Sequence, residues 1–304
     1  MPRTRQLDFN PLSLARKAIQ NPAKAGVFLR HLLDGSKWRD YQKWRQFRSA
    51  DLYLVSFPKS GRTWLRTLLG KTIHDHYGLS GDEFLYLKDF APLDRLGLPR
   101  LVSTHDTPSH WASYEQNLST KDLYQGKRVL FLARDMRDIL VSWYYHQTRR
   151  KGQNRGSLAD FLRYEGDGYG TTCLVNFYKA WHDSQHIPAA FLFIRYEDLH
   201  RQPQATLRQV VEFVGLRDVP DSVLQATIDY ASFQNMRRRE EQGESLAGHM
   251  TTPSESQKAD PNWYFVRKGK AGGYREEMSA EDLAYIEATV DRLKAPREWL
   301  FFEG

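Results

Sequence analysis

Two short stretches of the chain carry residue types suited to chemistry on anions. In SFPKSGRTWLRTLL, residues 56–69, an apolar run gives way to Pro58-Lys59-Ser60-Gly61-Arg62-Thr63 and then to an apolar-periodic segment. A turn between strand and helix presents unpaired backbone N–H groups, and the positive end of the helix dipole points the same way. Gly61 lets the backbone approach a ligand closely, Ser60 and Thr63 add hydroxyl donors, and Lys59 and Arg62 add charge. A plain strand-turn-helix with solvated cations uses the same residues, so the turn alone leaves both readings open. In LVSTHDTP, residues 101–108, His105 closes a second apolar run. An imidazole titrates near neutrality and suits the removal of a proton from a hydroxyl. A lone histidine is otherwise a structural or solvated side chain.

The turn is not a Walker A loop, in which the lysine follows the second glycine; here Lys59 precedes Gly61. No acidic residue ends a strand as a magnesium-holding segment requires, so metal-dependent nucleotide hydrolysis is disfavoured and no metal site is expected.

The elements that must position these residues follow from hydrophobic period. Short runs rich in β-formers at 51–57, 101–105, 127–134 and 190–196 read as strands. Longer amphipathic patterns at 63–77, 136–150, 172–186, 204–214, 221–230 and 279–293 read as helices, the last with a Ser279/Asp282 capping box. Continuous apolar strands alternating with helices predict an α/β fold, a central parallel sheet covered on both faces. The polar, turn-rich stretch 237–273 reads as a mobile flap that a ligand orders.

With the elements in order, the motifs resemble those of the sulfotransferases that use 3′-phosphoadenosine 5′-phosphosulfate (PAPS). Pro58-Lys59-Ser60-Gly61-x-Thr63-Trp64 resembles the family's donor-binding loop. LFLARDMRDILVSWYYH supplies Arg134 and, eight residues on, Ser142, the spacing at which the family holds the donor's 3′-phosphate. RKGKAGG supplies Arg267, Lys268 and Gly269, similar to the family's late Arg-Lys-Gly loop on the same phosphate. FIRYEDL with Tyr196 and SFQNM with Phe233 resemble the family segments flanking the adenine, and Trp64 matches the family tryptophan that stacks on it.

The resemblance implies a P-loop-like nucleoside-phosphate-binding fold, PAPS as donor, adenosine 3′,5′-bisphosphate (PAP) as product, and no metal requirement. It further implies His105 as base, Lys59 at the leaving group, and residues 60–64 around the 5′-phosphate. Ser103 stands where many members carry a lysine that binds the transferring group, and Arg62 replaces the usual threonine, which suggests compensation of charge. Gly273-Tyr274 stands where Asp-Trp is usual. The family's dimer signature is absent, and oligomeric state stays open. The acceptor pocket is expected around 106–114, 144–148 and 240–265, admitting a phenol, a steroid-like alcohol, a lipid or a sugar.

Composition bounds the rest. The 304 residues carry 44 Lys and Arg against 37 Asp and Glu, a net charge of +7 that favours an anionic partner without choosing one. The aromatics sit mostly in apolar periodic segments, where core packing is the better reading than base stacking, so nucleic acid is not expected; a small-molecule, lipid or sugar acceptor is what the resemblance implies. The single cysteine, Cys173, excludes an intramolecular disulfide framework and points to a reducing, cytoplasmic setting. No apolar stretch approaches the roughly 20 residues of a spanning helix. The basic segment 1–48 reads as a helical arm packed on the domain 49–304, with a membrane-surface helix as the alternative. Competing functions are a P-loop kinase, distinguished by ATP with magnesium replacing PAPS, and a basic nucleotide- or nucleic-acid-binding module, distinguished by steep salt dependence.

Overall fold

The computed structural model describes residues 47–302 apart from 83, 86, 88–89, 92, 107–116, 119–120, 167, 244–253, 255–256, 258 and 265. The chain divides into two compact units, Met1–Ala50 and Asp51–Gly304. Of the first, only residues 47–50 are described, so nearly all of the arm expected over 1–48 lies outside the described residues.

In the second unit the strands are β1 (Leu52–Ser56), β2 (Phe90–Ala91), β3 (Leu101–Thr104), β4 (Arg128–Ala133) and β5 (Ala190–Arg195). They form one sheet in the order β2-β3-β1-β4-β5. β1 pairs parallel with β3 and β4, and β4 pairs parallel with β5. The two-residue β2 adds antiparallel to β3, an edge too short for a periodicity reading to find. The register sets Leu54 between Ser103 and Leu130. Chain order reverses on either side of β1, so the crevice at its carboxyl end is the switch point where open α/β sheets bind ligands.

The helices are α1 (Arg62–His76), α2 (Met136–Tyr145), α3 (Leu158–Leu162), α4 (Thr171–Ser184), α5 (Tyr196–Arg201), α6 (Pro203–Val214), α7 (Asp221–Tyr230), α8 (Phe233–Glu241), α9 (Ala280–Arg292) and α10 (Arg297–Leu300). Residues alternate across β1: Leu52 and Leu54 belong to a core with Leu65, Leu68, Leu69 and Ile73 of α1 and with Leu207, Val210 and Val211 of α6. On the aromatic side, Phe57 meets Trp143 of α2 at 5.0 Å and Phe177 of α4 at 5.2 Å, both edge to face. Each such buried leucine or phenylalanine stabilises the fold by about 1.5–3 kcal/mol, which holds α1 and α2 rigidly at the sheet's carboxyl edge. Cys173 is buried in α4, consistent with a structural thiol.

One sequence expectation is corrected. The helix expected over 136–150 closes with a π turn at His146–Arg150, in which the Lys151 N–H donates to the His146 carbonyl at 3.1 Å. A wider turn of this kind redirects side chains, and hydrophobic period does not register it. The stretch expected as a flap over 237–273 begins inside α8, and Trp263 and Tyr264 within it are each only 5% exposed. Residues 244–253 of that stretch lie outside the described residues. The capping box at Ser279 and Asp282 is present as expected.

Candidate functional site

Four connections leave the carboxyl ends of β1, β3, β4 and β5, and each carries within its first three residues one singled out from the sequence: Lys59, His105, Arg134 and Tyr196. They meet around a cavity of about 730 Å³, within the usual range for a small-molecule site. Its wall carries nine lysine and arginine side chains against one carboxylate, Asp138, counted among the described residues. An enclosed surface of one sign concentrates anions.

The turn after β1 is built for close approach. Lys59 and Gly61 both hold positive φ, 71° and 94°. A Cβ on Gly61 would collide with the Tyr196 ring, which explains glycine there. Gly61 also caps α1 without a side-chain acceptor, and the first turn of α1 carries no carboxylate. The dipole end of α1 is therefore left for an exogenous anion. Burial pushes the Lys59 ammonium down to about 7; Glu240 resists the shift, while Arg150, Arg134 and Arg267 add to it. A lysine held this way is strongly biased toward accepting an anionic partner.

Arg134, just after β4, donates to the Lys59 carbonyl at 3.1 Å and to the Lys270 carbonyl at 3.3 Å, and it stacks over Tyr196 at 4.3 Å. The guanidinium thus ties the β1 turn to the late loop. Ser142, two turns along α2, lines the same cavity. In the late loop, Arg267 donates to Glu277 at 3.0 Å and Lys268 reaches Glu276 and Glu277, each at 2.7 Å. Gly269 has φ 60°, and a Cβ there would overlap the Phe233 ring.

Trp64 and Tyr196 form an edge-to-face corner with centroids 5.4 Å apart, and the Trp64 indole is fixed by donating to the Ala231 carbonyl at 2.8 Å. Phe233 is 39% exposed and lies on the same wall. The open corner and the partly exposed ring suit a planar heterocycle.

His105, the residue after β3, donates Nδ1–H to the Ser56 carbonyl at 2.8 Å. Because a carbonyl only accepts, the neutral ring carries its lone pair on Nε2, the arrangement a general base requires. Ser103 is buried on β3 and does not reach the cavity wall, whereas Arg62 does. Of the expected acceptor segments, 107–114 lies outside the described residues. His146, Arg150, Met236 and Trp263 also line the cavity.

Some site residues escaped the sequence reading. Asp138 accepts the N–H groups of Gly272 at 2.8 Å and Tyr274 at 2.9 Å, pinning the late loop to α2. It also lies 3.6 Å from Arg134, four residues earlier, a helical spacing visible in ARDMRD. His200 lies 4.7 Å from Trp64 and 4.7 Å from Tyr196; burial and the Arg134 charge hold its imidazole below the ordinary value. Glu240 receives Arg150 at 3.2 Å and the Val266 N–H at 3.0 Å, joining α8 to the π turn. No signal in the sequence pairs those two segments.

Comparison with known proteins bears on this geometry. The sulfotransferase domain family matches residues 49–296. Cytosolic sulfotransferase 13 of Arabidopsis thaliana is 26% identical over 90% of this chain and 85% of its own. The flavonol 3-sulfotransferase of Flaveria bidentis is 26% identical over 79% of this chain and 80% of its own. Among solved structures, a mouse sulfotransferase complexed with PAP superposes with a TM-score of 0.56 at 17% identity, covering 82% of this chain and 86% of that one. Retinol dehydratase in a complex with retinol and PAP gives 0.52 at 18% identity, covering 80% and 81%. These two likenesses establish the fold.

Proposed function

The chain belongs to the sulfotransferase family and is a sulfuryl-transfer enzyme, and from that premise we propose that it moves SO₃ from PAPS to a hydroxyl of a small or medium-sized acceptor, releasing PAP. The observation that carries the reading is the convergence of Lys59, Arg134 and His105 on one cation-rich cavity beside an aromatic corner.

The residues present fit the donor. Glycines whose Cβ would strike aromatic rings leave room at the β1 turn and the late loop. In this reading Lys59 and residues 60–64 hold the 5′-phosphosulfate, and Arg134, Ser142, Arg267, Lys268 and Gly269 hold the 3′-phosphate. Trp64, Tyr196 and Phe233 flank the adenine. The donor supplies the sulfuryl group and a phosphate leaving group. His105 takes the acceptor's proton at Nε2 as the acceptor oxygen bonds to sulfur. Lys59 faces the negative charge left on the phosphate oxygen when the sulfur–oxygen bond breaks, and a preorganised cation there acts where charge develops. The transfer so described needs no metal. Arg62 on the wall, with Ser103 withdrawn from it, supports charge compensation; Arg62→Ala is expected to lower kcat, and an unchanged kcat would sink that part.

A cavity of about 730 Å³ supports a nucleotide donor with a small or medium-sized acceptor. Relatives called cytosolic support a cytoplasmic setting. The test is transfer of label from sulfur-labelled PAPS across a panel of phenols, steroid-like alcohols, lipids and sugars. ATP with magnesium serves as the control that would favour a kinase.

A further inference from the structure

Immediately behind His105, off the cavity wall, stands a buried polar cluster that the reading above does not use. Asp106 has no exposed surface and a φ of 61°, in the left-handed region where asparagine, aspartate and glycine are the usual occupants. Its carboxylate accepts from the Lys121 ammonium, from the Tyr124 hydroxyl at 2.6 Å and from the Trp181 indole N–H at 3.0 Å. Its backbone N–H donates to Thr104 Oγ1 at 2.9 Å. Lys121 also donates to the Asn117 carbonyl at 2.9 Å and lies over the Trp181 ring at 4.7 Å. Lys121, Tyr124 and Trp181 are all fully buried.

We propose that Asp106 is a positioning residue for His105: its carboxylate, clamped by Lys121, Tyr124 and Trp181, holds the left-handed bend that presents the imidazole to the cavity. The inference rests on His105 acting as base.

Three observations support it. A buried ion pair stabilises a fold poorly compared with an apolar replacement, and this one sits in a core that is otherwise aromatic, with Tyr53 against Tyr124 and Phe131 against Trp181. Its better explanation is that it selects one geometry. A backbone in a sparsely populated region persists when its surroundings over-determine it, and such residues gather at working sites. Here three donors from two separate elements, the 3₁₀ turn Lys121–Tyr124 and α4, fix one carboxylate. Finally, the His105 ring has its own tether at Ser56. Ring and main chain are thus held by separate tethers, and release of the bend is expected to move Nδ1 away from that carbonyl.

The experiment is ring-nitrogen NMR of His105 in the full-length protein, assigned against His105→Gln, with PAP affinity measured on the same samples. The parent is expected to show a single Nδ1-protonated tautomer. Asp106→Ala is expected to mix the two tautomers while PAP affinity stays unchanged, because Asp106 does not line the cavity. Asp106→Asn, which tolerates the bend and still accepts from Tyr124, is expected to restore part of the single-tautomer signal. If Asp106→Ala fails to fold, Tyr124→Phe and Trp181→Phe each remove one donor and are expected to give a smaller shift of the same kind. A His105 tautomer unchanged in these variants, or a loss of PAP affinity in step with the tautomer, overturns the proposal. Retention of full transfer activity by His105→Ala would instead overturn the base reading, and the tautomer measurement would still report on Asp106.

Discussion

The imidazole of His105 is bonded through Nδ1 to the carbonyl of Ser56 at 2.8 Å, so the residue after β3 is held by the last residue of β1. The two strands are parallel neighbours, and the bond fixes both the ring's orientation and its tautomer. Replacing His105 by alanine is expected to lower turnover ~10²–10⁴-fold, the usual span for loss of a positioned general base. PAP affinity should hold, since donor contacts lie on other elements. Joint loss of turnover and PAP affinity would make His105 a structural residue; isothermal titration alongside the assay decides.

Lys59 gives a pH dependence with a definite sign. In the folded, unliganded chain it keeps its proton only below about 7, against an ordinary value of 10.5. Between those values the folded state binds fewer protons than the unfolded one, so the burden on stability is greatest below pH 7 and lifts as pH rises through the window. An arriving phosphate favours the ammonium, so PAP binding near neutral pH is expected to take up a proton and to weaken as pH rises. Calorimetry in buffers of different ionisation enthalpy measures the uptake. Lys59→Met should remove it, and equal uptake in that variant would assign the proton elsewhere.

Gly61 combines φ 94° with a Tyr196 ring where a Cβ would stand. Gly61→Ala is expected to weaken PAP binding by roughly tenfold or more, since left-handed backbone costs a residue with a side chain about 1–2 kcal/mol before any ring displacement. The change should appear in Trp64 fluorescence, because Trp64 packs on the same Tyr196 ring. Unaltered affinity would show that the turn tolerates a Cβ and does not need close approach.

How much of this was legible beforehand differs by residue. The strands β1, β3 and β4, which lead into Lys59, His105 and Arg134, were readable because a strand buried on both faces is a short, unbroken apolar run; β5, ahead of Tyr196, is only partly buried but equally apolar. Gly61 was readable only with the downstream motifs beside it, since the turn alone also fits a plain strand-turn-helix. What period could not report is pairing between distant segments: the carboxylate of Asp138 under the late loop, Glu240 joining α8 to the π turn, and Lys121 beneath Asp106. Those contacts depend on tertiary placement. Sequence spacing shows it only when both partners share one helix, as Arg134 and Asp138 nearly do.

Asp138 is the sharpest of these omissions to test. It accepts two backbone N–H groups of the late loop at 2.8 and 2.9 Å. Hydrogen bonds to a charged group contribute about 1.5–3 kcal/mol each, so loss of the two in Asp138→Ala is expected to weaken PAP binding by about 10²–10⁴-fold. At saturating donor, kcat should be preserved, because His105 and Lys59 keep their own supports. A fall in kcat with PAP affinity intact would place Asp138 in the chemical step instead.

The central claim is that the cation-lined cavity delivers a sulfuryl group from PAPS to a hydroxyl. Incubation of the purified chain with sulfur-labelled PAPS and the acceptor panel, without added metal, measures this directly. The account predicts label on at least one hydroxyl acceptor, stoichiometric PAP, and loss of both in His105→Ala. Turnover of ATP with magnesium in place of PAPS, or no label on any acceptor despite tight PAP binding, would contradict it.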